Sequence, residues 1–398
     1  MPKIAPFRAI RYASGTDLQQ VIAPPYDVLS DADVTELGGR SEHNIVHVDV
    51  PAGGDDRYDV AARVLGEWLD SGVLVADDQD TLTIYRMSFT DATGTPRTIV
   101  GVLAGLEVVD EGAGGVLPHE RVTPKASTDR LDLTRATAAN LSPVWGLSLA
   151  DGLSDALREP AEPVGEVTFD GVRHTVERVS DPGRIAAITA VIAADDVLIA
   201  DGHHRYGISR TYRDEVRAAS GRTDTDAEFT LTFINELVAD QLSIEAIHRV
   251  YTGTTVDTLR ARLAVHFDIE PAPAPTPATL AQMVDLGRLV LLSPDGSAEW
   301  LTPKAGAFDG VRSLDGAWLE HALAGADAEV GYQHGLDETL ARLADGAADA
   351  AVLIRPTSLE EIRRTAREGL LMPPKSTFFT PKLRTGLVIR PTASPDQT

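Results

Sequence analysis

Short apolar runs and amphipathic stretches follow one another along the chain, with no internal repeat and no coiled-coil or transmembrane pattern. Residues 44–50 (NIVHVDV) read as a strand. Residues 57–70 place Val60, Val64, Leu65, Trp68 and Leu69 on one face of a helix. TLTIYRMSFT and RTIVGVLAGLEVV flank the turn-rich DATGTP and predict a hairpin, and FDGVRHTVERV predicts another about Asp170-Gly171. Val197 to Ala200 form an apolar run suited to a strand covered on both faces; Asp201-Gly202 supplies a turn, and residues 206–218 carry Ile208, Tyr212 and Val216 on one helical stripe. FTLTFINEL, SIEAIHRVYTG, LVLLSP, AVLIRP and GLVIRP read as further strands. PAPAPTPAT reads as an extended connector, and Ser358 to Glu361 as a capping box opening a helix at 359–368. The pattern predicts an α+β (mixed α/β) fold in three regions, 1–150, 151–255 and 256–398.

Composition narrows the chemistry. The 398 residues are 43% hydrophobic, enough for well-packed cores, and contain no cysteine, which excludes disulfides, thiolate metal sites and thiol nucleophiles. No stretch approaches the roughly 20 apolar residues of a membrane helix, and the first residues lack the apolar core of a signal peptide, so a cytoplasmic location without membrane partners is expected. A net charge of −24 argues against nucleic acid as a partner; a small anion needs only a local basic pocket.

The turn at Asp201-Gly202-His203-His204-Arg205 concentrates candidate chemistry. The first N–H groups of a helix have no intrahelical partner and attract anions; Gly202 lets a ligand approach, and an exposed Arg205 could grip a phosphate bidentately. Asp201 is also the candidate magnesium ligand. Adjacent histidines in extended chain point to opposite sides, so the pair is a poor metal site. Three other polar segments add candidates. Residues 116–143 bring His119, Glu120, Arg121, Lys125 and Arg130 around a helix running to about Leu141. Residues 370–387 bring Lys375, Ser376, Thr377, Lys382 and Arg384 without an acid. Residues 21–30 mount Tyr26 and Asp27, as candidate substrate contacts, on a turn stiffened by two prolines.

APPYDV, LPHERVTPK, RATAANLSPVWGL, LIADGHHRY and MPPKSTFFTPKL together resemble the signature segments of domain-of-unknown-function family 1015 of bacteria and archaea. More remotely, the strand, the turn Gly202-His203-His204-Arg205 and the helix resemble the phosphate-binding motif of the ParB/sulfiredoxin superfamily, which includes free serine kinases using ATP or ADP. The resemblance implies a ParB/sulfiredoxin-like core around this segment. Sulfiredoxin chemistry would need a cysteine. The resulting expectation is a nucleotide-dependent phosphotransferase acting with ATP or ADP and Mg²⁺ on a small hydroxylated metabolite such as free serine. Gly202, His203, His204, Arg205, His119, Arg121, Lys125, Arg130, Lys375, Ser376 and Thr377 would hold phosphate, Asp201 or Glu120 would act as base, and His203 or Asp201 would activate water if the chemistry were hydrolysis. A non-catalytic nucleotide or phosphometabolite sensor and a phosphoester hydrolase are the alternatives.

Overall fold

The computed structural model describes residues 1–91, 94–118, 127–373 and 375–393. Helices and several sheets mix along the chain, as the sequence pattern predicts. The chain divides into two compact units. One comprises Met1–Thr90, Pro96–Leu242 and Pro381–Thr398, and the other Asp91–Thr95 and Ser243–Thr380. The first unit therefore gathers residues from both sides of the boundaries suggested at 150 and 255, and takes in the tail.

Among the described residues the first unit is built on a nine-stranded sheet: β1 (Ile4–Ala5), β2 (Leu82–Thr90), β3 (Pro96–Glu107), β4 (Val116–Pro118), β5 (Val144–Ser148), β6 (Glu162–Phe169), β7 (Val172–Val179), β8 (Val197–Asp201) and β9 (Phe229–Glu236). The order is β4-β8-β5-β9-β3-β2-β7-β6, with β1 on β3. Both predicted hairpins are present, β2–β3 and β6–β7. Asp170 (φ 49°) and Gly171 (φ 75°) make the second turn, both left-handed as a two-residue hairpin loop demands. β8 lies parallel to β4 and antiparallel to β5, so Val197, Leu198, Ile199 and Ala200 are all buried.

The helices of this unit used below are α1 (Val46–Asp49), α2 (Arg57–Asp70), α3 (Ser127–Thr137) and α4 (His203–Ser220). α2 buries Ala61, Leu65 and Trp68, close to the predicted face. Three expectations change. Of GLVIRP only Arg390–Pro391 is a strand, paired with Ala139–Asn140. Residues 46–49 are a short helix, not a strand, because the buried Asn44 side chain accepts from the Val46 N–H and donates to Gln20 O, curling the chain. α3 stops at Thr137, short of Leu141, since Ala138 takes a left-handed φ of 46°.

The second unit carries a six-stranded antiparallel sheet: β10 (Ile247–Thr252), β11 (Phe267–Ala272), β12 (Leu289–Leu292), β13 (Ala298–Pro303), β14 (Glu329–His334) and β15 (Ala350–Leu353), in the order β11-β13-β12-β15-β10-β14. Apolar clusters cover both faces, one around Leu259, Leu263, Phe267 and Leu319, the other around Met283, Trp300 and Leu343. The proline-rich stretch is less of a connector than its composition suggests: Pro271 and Ala272 end β11, and Pro277 starts a helix at a position whose N–H needs no acceptor. Two helices matter later, α5 (Asp315–Ala322) and α6 (Leu359–Glu368). Ser358 caps α6 by accepting from the Glu361 N–H, as predicted.

Candidate functional site

The site is assembled at the end of β8. The pairing of β8 with β5 shifts register between Ile199 and Asp201, a bulge that re-aims the Asp201 side chain as the strand ends. Gly202 follows with φ 83°, a left-handed conformation that an L side chain adopts only at a cost. It also makes room: a Cβ at 202 would lie 3.0 Å from Arg205 Nε and 3.1 Å from Cζ. One glycine thus turns the chain into α4 and allows a guanidinium to fold back over the turn. α4 starts at His203, earlier than the stripe suggests, and buries Tyr206, Ile208, Ser209 and Arg213. His203 and His204 are therefore helical, not extended, and both line the same cavity.

Arg205 is not the exposed clamp that the sequence suggests. Its side chain is 10% exposed; Nη1 donates to the Pro143 carbonyl, and Nη2 lies 3.8 Å from Asp201 and 4.0 Å from Asp27. Its Nε is fully buried with no acceptor among the described residues. Asp201 accepts from the Gly202 N–H at 2.8 Å and from Lys382 Nζ at 2.9 Å. Burial by itself would raise the Asp201 carboxyl, but Lys382, Arg205 and the Gly202 N–H hold it well below the usual carboxylate range.

A second carboxyl has the opposite environment. Asp49, at the end of α1, is 4% exposed. Burial raises it, although Arg130 and Arg205 pull the other way and Ser142 donates to it at 3.5 Å. Arg130 Nη1 sits 3.4 Å from its Oδ1 and donates to its backbone carbonyl. The same guanidinium lies 4.4 Å over the Tyr26 ring and pairs through Nε with Asp129 at 2.9 Å. Tyr26, Asp49, Arg130, Ser142 and Arg205 line one cavity of about 50 Å³, room for a few waters or a hydroxymethyl group. A larger cavity of about 470 Å³ adjoins the first turns of α4 and is lined by His203, His204, Tyr206 and Arg210, among others.

The structure brings Tyr26, Asp27, Arg130, Asp201, Gly202 and Arg205 together. His119, Glu120, Arg121 and Lys125 lie outside the described residues. Lys375, Ser376 and Thr377 belong to the second unit, whereas Lys382, from the same basic segment, belongs to the first and reaches Asp201. One participant, Asp49, was not singled out by the sequence, because it is hidden in a strand-like pattern; Lys382 stood among the candidates of the basic segment, with no role assigned to it. Among the described residues no group of three His, Asp or Glu side chains could hold a metal ion, and no helix is long and apolar enough to cross a membrane.

The family model described as "protein of unknown function (DUF1015)" matches residues 4–317, and the chain belongs to that family. No curated protein matches it. Solved structures similar to it include a free serine kinase in complex with AMP (12% identity, TM-score 0.38, covering 71% of this chain and 90% of that one). SbnI with a C-terminal truncation from Staphylococcus aureus is similar at 13% identity and TM-score 0.36, covering 71% and 84%. A conserved hypothetical protein from Pyrococcus furiosus is similar at 13% identity and TM-score 0.36, covering 67% and 87%.

Proposed function

We propose that the chain is a cytoplasmic, nucleotide-dependent phosphotransferase acting on a small hydroxylated metabolite such as free serine. The observation that carries this reading is the pairing of a buried carboxyl of raised pKa, Asp49, with two guanidinium groups, Arg130 and Arg205, in one small cavity at the start of an 18-residue helix. Phosphoryl transfer asks mainly for positioning and charge neutralisation, plus a base for the attacking hydroxyl. Asp49 supplies the base: its carboxylate takes the hydroxyl proton while the acceptor oxygen bonds to the terminal phosphorus, and the bond to the leaving nucleotide phosphate breaks. Arg205 and the first N–H groups of α4 meet the negative charge on the transferring oxygens. The 470 Å³ cavity, within the size range of small-molecule sites, takes the nucleoside beside His203 and His204.

Asp201 has a different part in this reading. A carboxylate held far below its ordinary pKa is a poor base, and both its oxygens are engaged, by Gly202 and by Lys382, which does not suit a magnesium ion there. Asp201 and Lys382 position Arg205, and any magnesium would arrive on the nucleotide phosphates.

The test incubates the full chain with ATP or ADP, Mg²⁺ and a pool of hydroxylated amino acids, with mass spectrometry for a phosphorylated product. Wild type is expected to make one, and Asp49→Asn to lower kcat by about 10² to 10⁴ while nucleotide affinity stays within a few-fold. Nucleotide binding without product would replace this reading by a sensor, and nucleotide hydrolysis without an acceptor by a hydrolase. Full turnover in Asp49→Asn would remove Asp49 from the chemistry.

A further inference from the structure

We propose that the second unit carries its own binding site for a phosphate group, either free phosphate or a small phosphomonoester, independent of the phosphotransfer reading above. The site is a cavity of about 210 Å³ whose lining includes Arg249, Asp315, Gly316, Arg355, Ser358 and Ser376. Among the described residues its charged lining is two guanidinium groups against one carboxylate, in a chain of net charge −24. A cavity of this size accepts a phosphate or a short ester and is smaller than the sites that enclose drug-sized ligands.

The two arginines are held from different parts of the unit. Arg249, on β10, is 3% exposed; its Nη1 donates to the carbonyls of Ile247 at 2.5 Å and Lys375 at 3.4 Å, and its guanidinium stacks 4.8 Å from the Tyr332 ring. Arg355 follows β15. Asp315 accepts from its backbone N–H at 2.8 Å, its Nε at 3.0 Å and its Nη2 at 2.5 Å, fixing the plane of the guanidinium. The adjacent residue serves the other arginine: a Cβ on Gly316 would lie 2.7 Å from Arg249 Nη2. The Asp315-Gly316 pair at the start of α5 thus orients one guanidinium and admits the other. Ser358, the N-cap of α6, adds a second helix start to the lining. The basic segment picked out from sequence is tied to the same place, since Ser376 lines the cavity and its carbonyl accepts from Thr357 Oγ1 at 2.8 Å.

Gly316→Ala tests this without removing a charge. Gly316 lies in a helix at an ordinary φ, so the backbone accepts alanine, but the methyl group must push Arg249 Nη2 aside. Isothermal titration calorimetry of the full chain with inorganic phosphate, and separately with phosphoserine, at constant ionic strength is expected to show a binding event that Gly316→Ala weakens about tenfold or more and Arg249→Gln abolishes. Tighter binding of inorganic phosphate identifies free phosphate as the ligand, and tighter binding of the ester identifies the phosphomonoester. If Arg249→Gln fails to fold, Gly316→Ala decides alone. Unchanged titrations for Gly316→Ala, or absence of binding by both ligands in wild type, overturns the proposal. Loss of the event in Gly316→Ala with product formation intact separates this site from the one at Arg205.

Discussion

Both units seat a buried arginine against a glycine at the start of a helix, yet the two arrangements differ in backbone and in charge. In the first unit Gly202 is left-handed, and Arg205 folds back over it toward Asp27, Asp201 and Asp49. In the second, Gly316 is an ordinary helical residue, and Arg249 rests on backbone carbonyls beside a carboxylate already gripped by Arg355. A guanidinium surrounded by acids can balance charge that shifts during a reaction. A guanidinium fixed by backbone carbonyls and an aromatic ring is held still and suits retention of an anion. The same local device therefore serves different chemistry according to which acids the rest of the fold brings near it.

Acid is expected to produce the largest effect, and to act on both units. His174 in the first is pushed down to about 3 and His248 in the second to about 4, each mainly by burial. Both are neutral in the folded chain and protonate at about 6.5 when it unfolds. The unfolded state binds the extra proton, so this contribution to stability is whole above pH 6.5 and shrinks as pH falls. At pH 4 each histidine costs about 3 kcal/mol relative to pH 7. Below pH 4 the His248 share levels off while that of His174 keeps growing. Asp201 acts only at lower pH, because its depressed pKa stabilises the fold above about 3.8 and is lost further down. Hydrogen exchange resolved by peptide from pH 7 to pH 4 should show both units loosening from the same threshold, and His174→Asn should flatten the response of the first unit alone. A first unit insensitive to pH across this range would contradict the neutral assignment of His174.

The glycines give the next largest difference. Gly202→Ala places a side chain in left-handed backbone and against Arg205, and should cost about 2 kcal/mol in urea unfolding. The smallest effect belongs to Gly316→Ala, where the gain in helix propensity offsets the displaced Arg249 tip and the change should stay within about 1 kcal/mol. Equal losses at the two positions would erase the distinction between them.

The strand, turn and helix at 197–220 are legible in the sequence because the information is local: an apolar run, an Asp-Gly turn and an amphipathic stripe. The same holds for the Asp170-Gly171 hairpin and the Ser358 cap. What escapes local reading is set by partners distant in sequence. Arg205 looks solvated until the Pro143 carbonyl closes over it. Arg213, in a run of charges, is 2% exposed because the Val108 carbonyl and Asp110 wait for it. Asp49 sits in an alternating V-H-V-D-V pattern that favours a strand, and only the Asn44 side chain, competing for the Val46 N–H, turns it into a helix end facing Arg130.

Lys382 is separated from Asp201 by the whole of Ser243–Thr380, so the ribosome completes the second unit before it releases the residue that pairs with Asp201. A nascent chain can form most of the nine-stranded sheet early, since domains tend to fold as units as they emerge. Until the tail returns, however, the Asp201 carboxylate is without its ammonium. Chains that stall in the second unit would therefore carry a nearly complete first unit whose turn acid is met only by Arg205 and the Gly202 N–H, and the pairing of Asp201 with Lys382 marks a chain whose synthesis has passed through both.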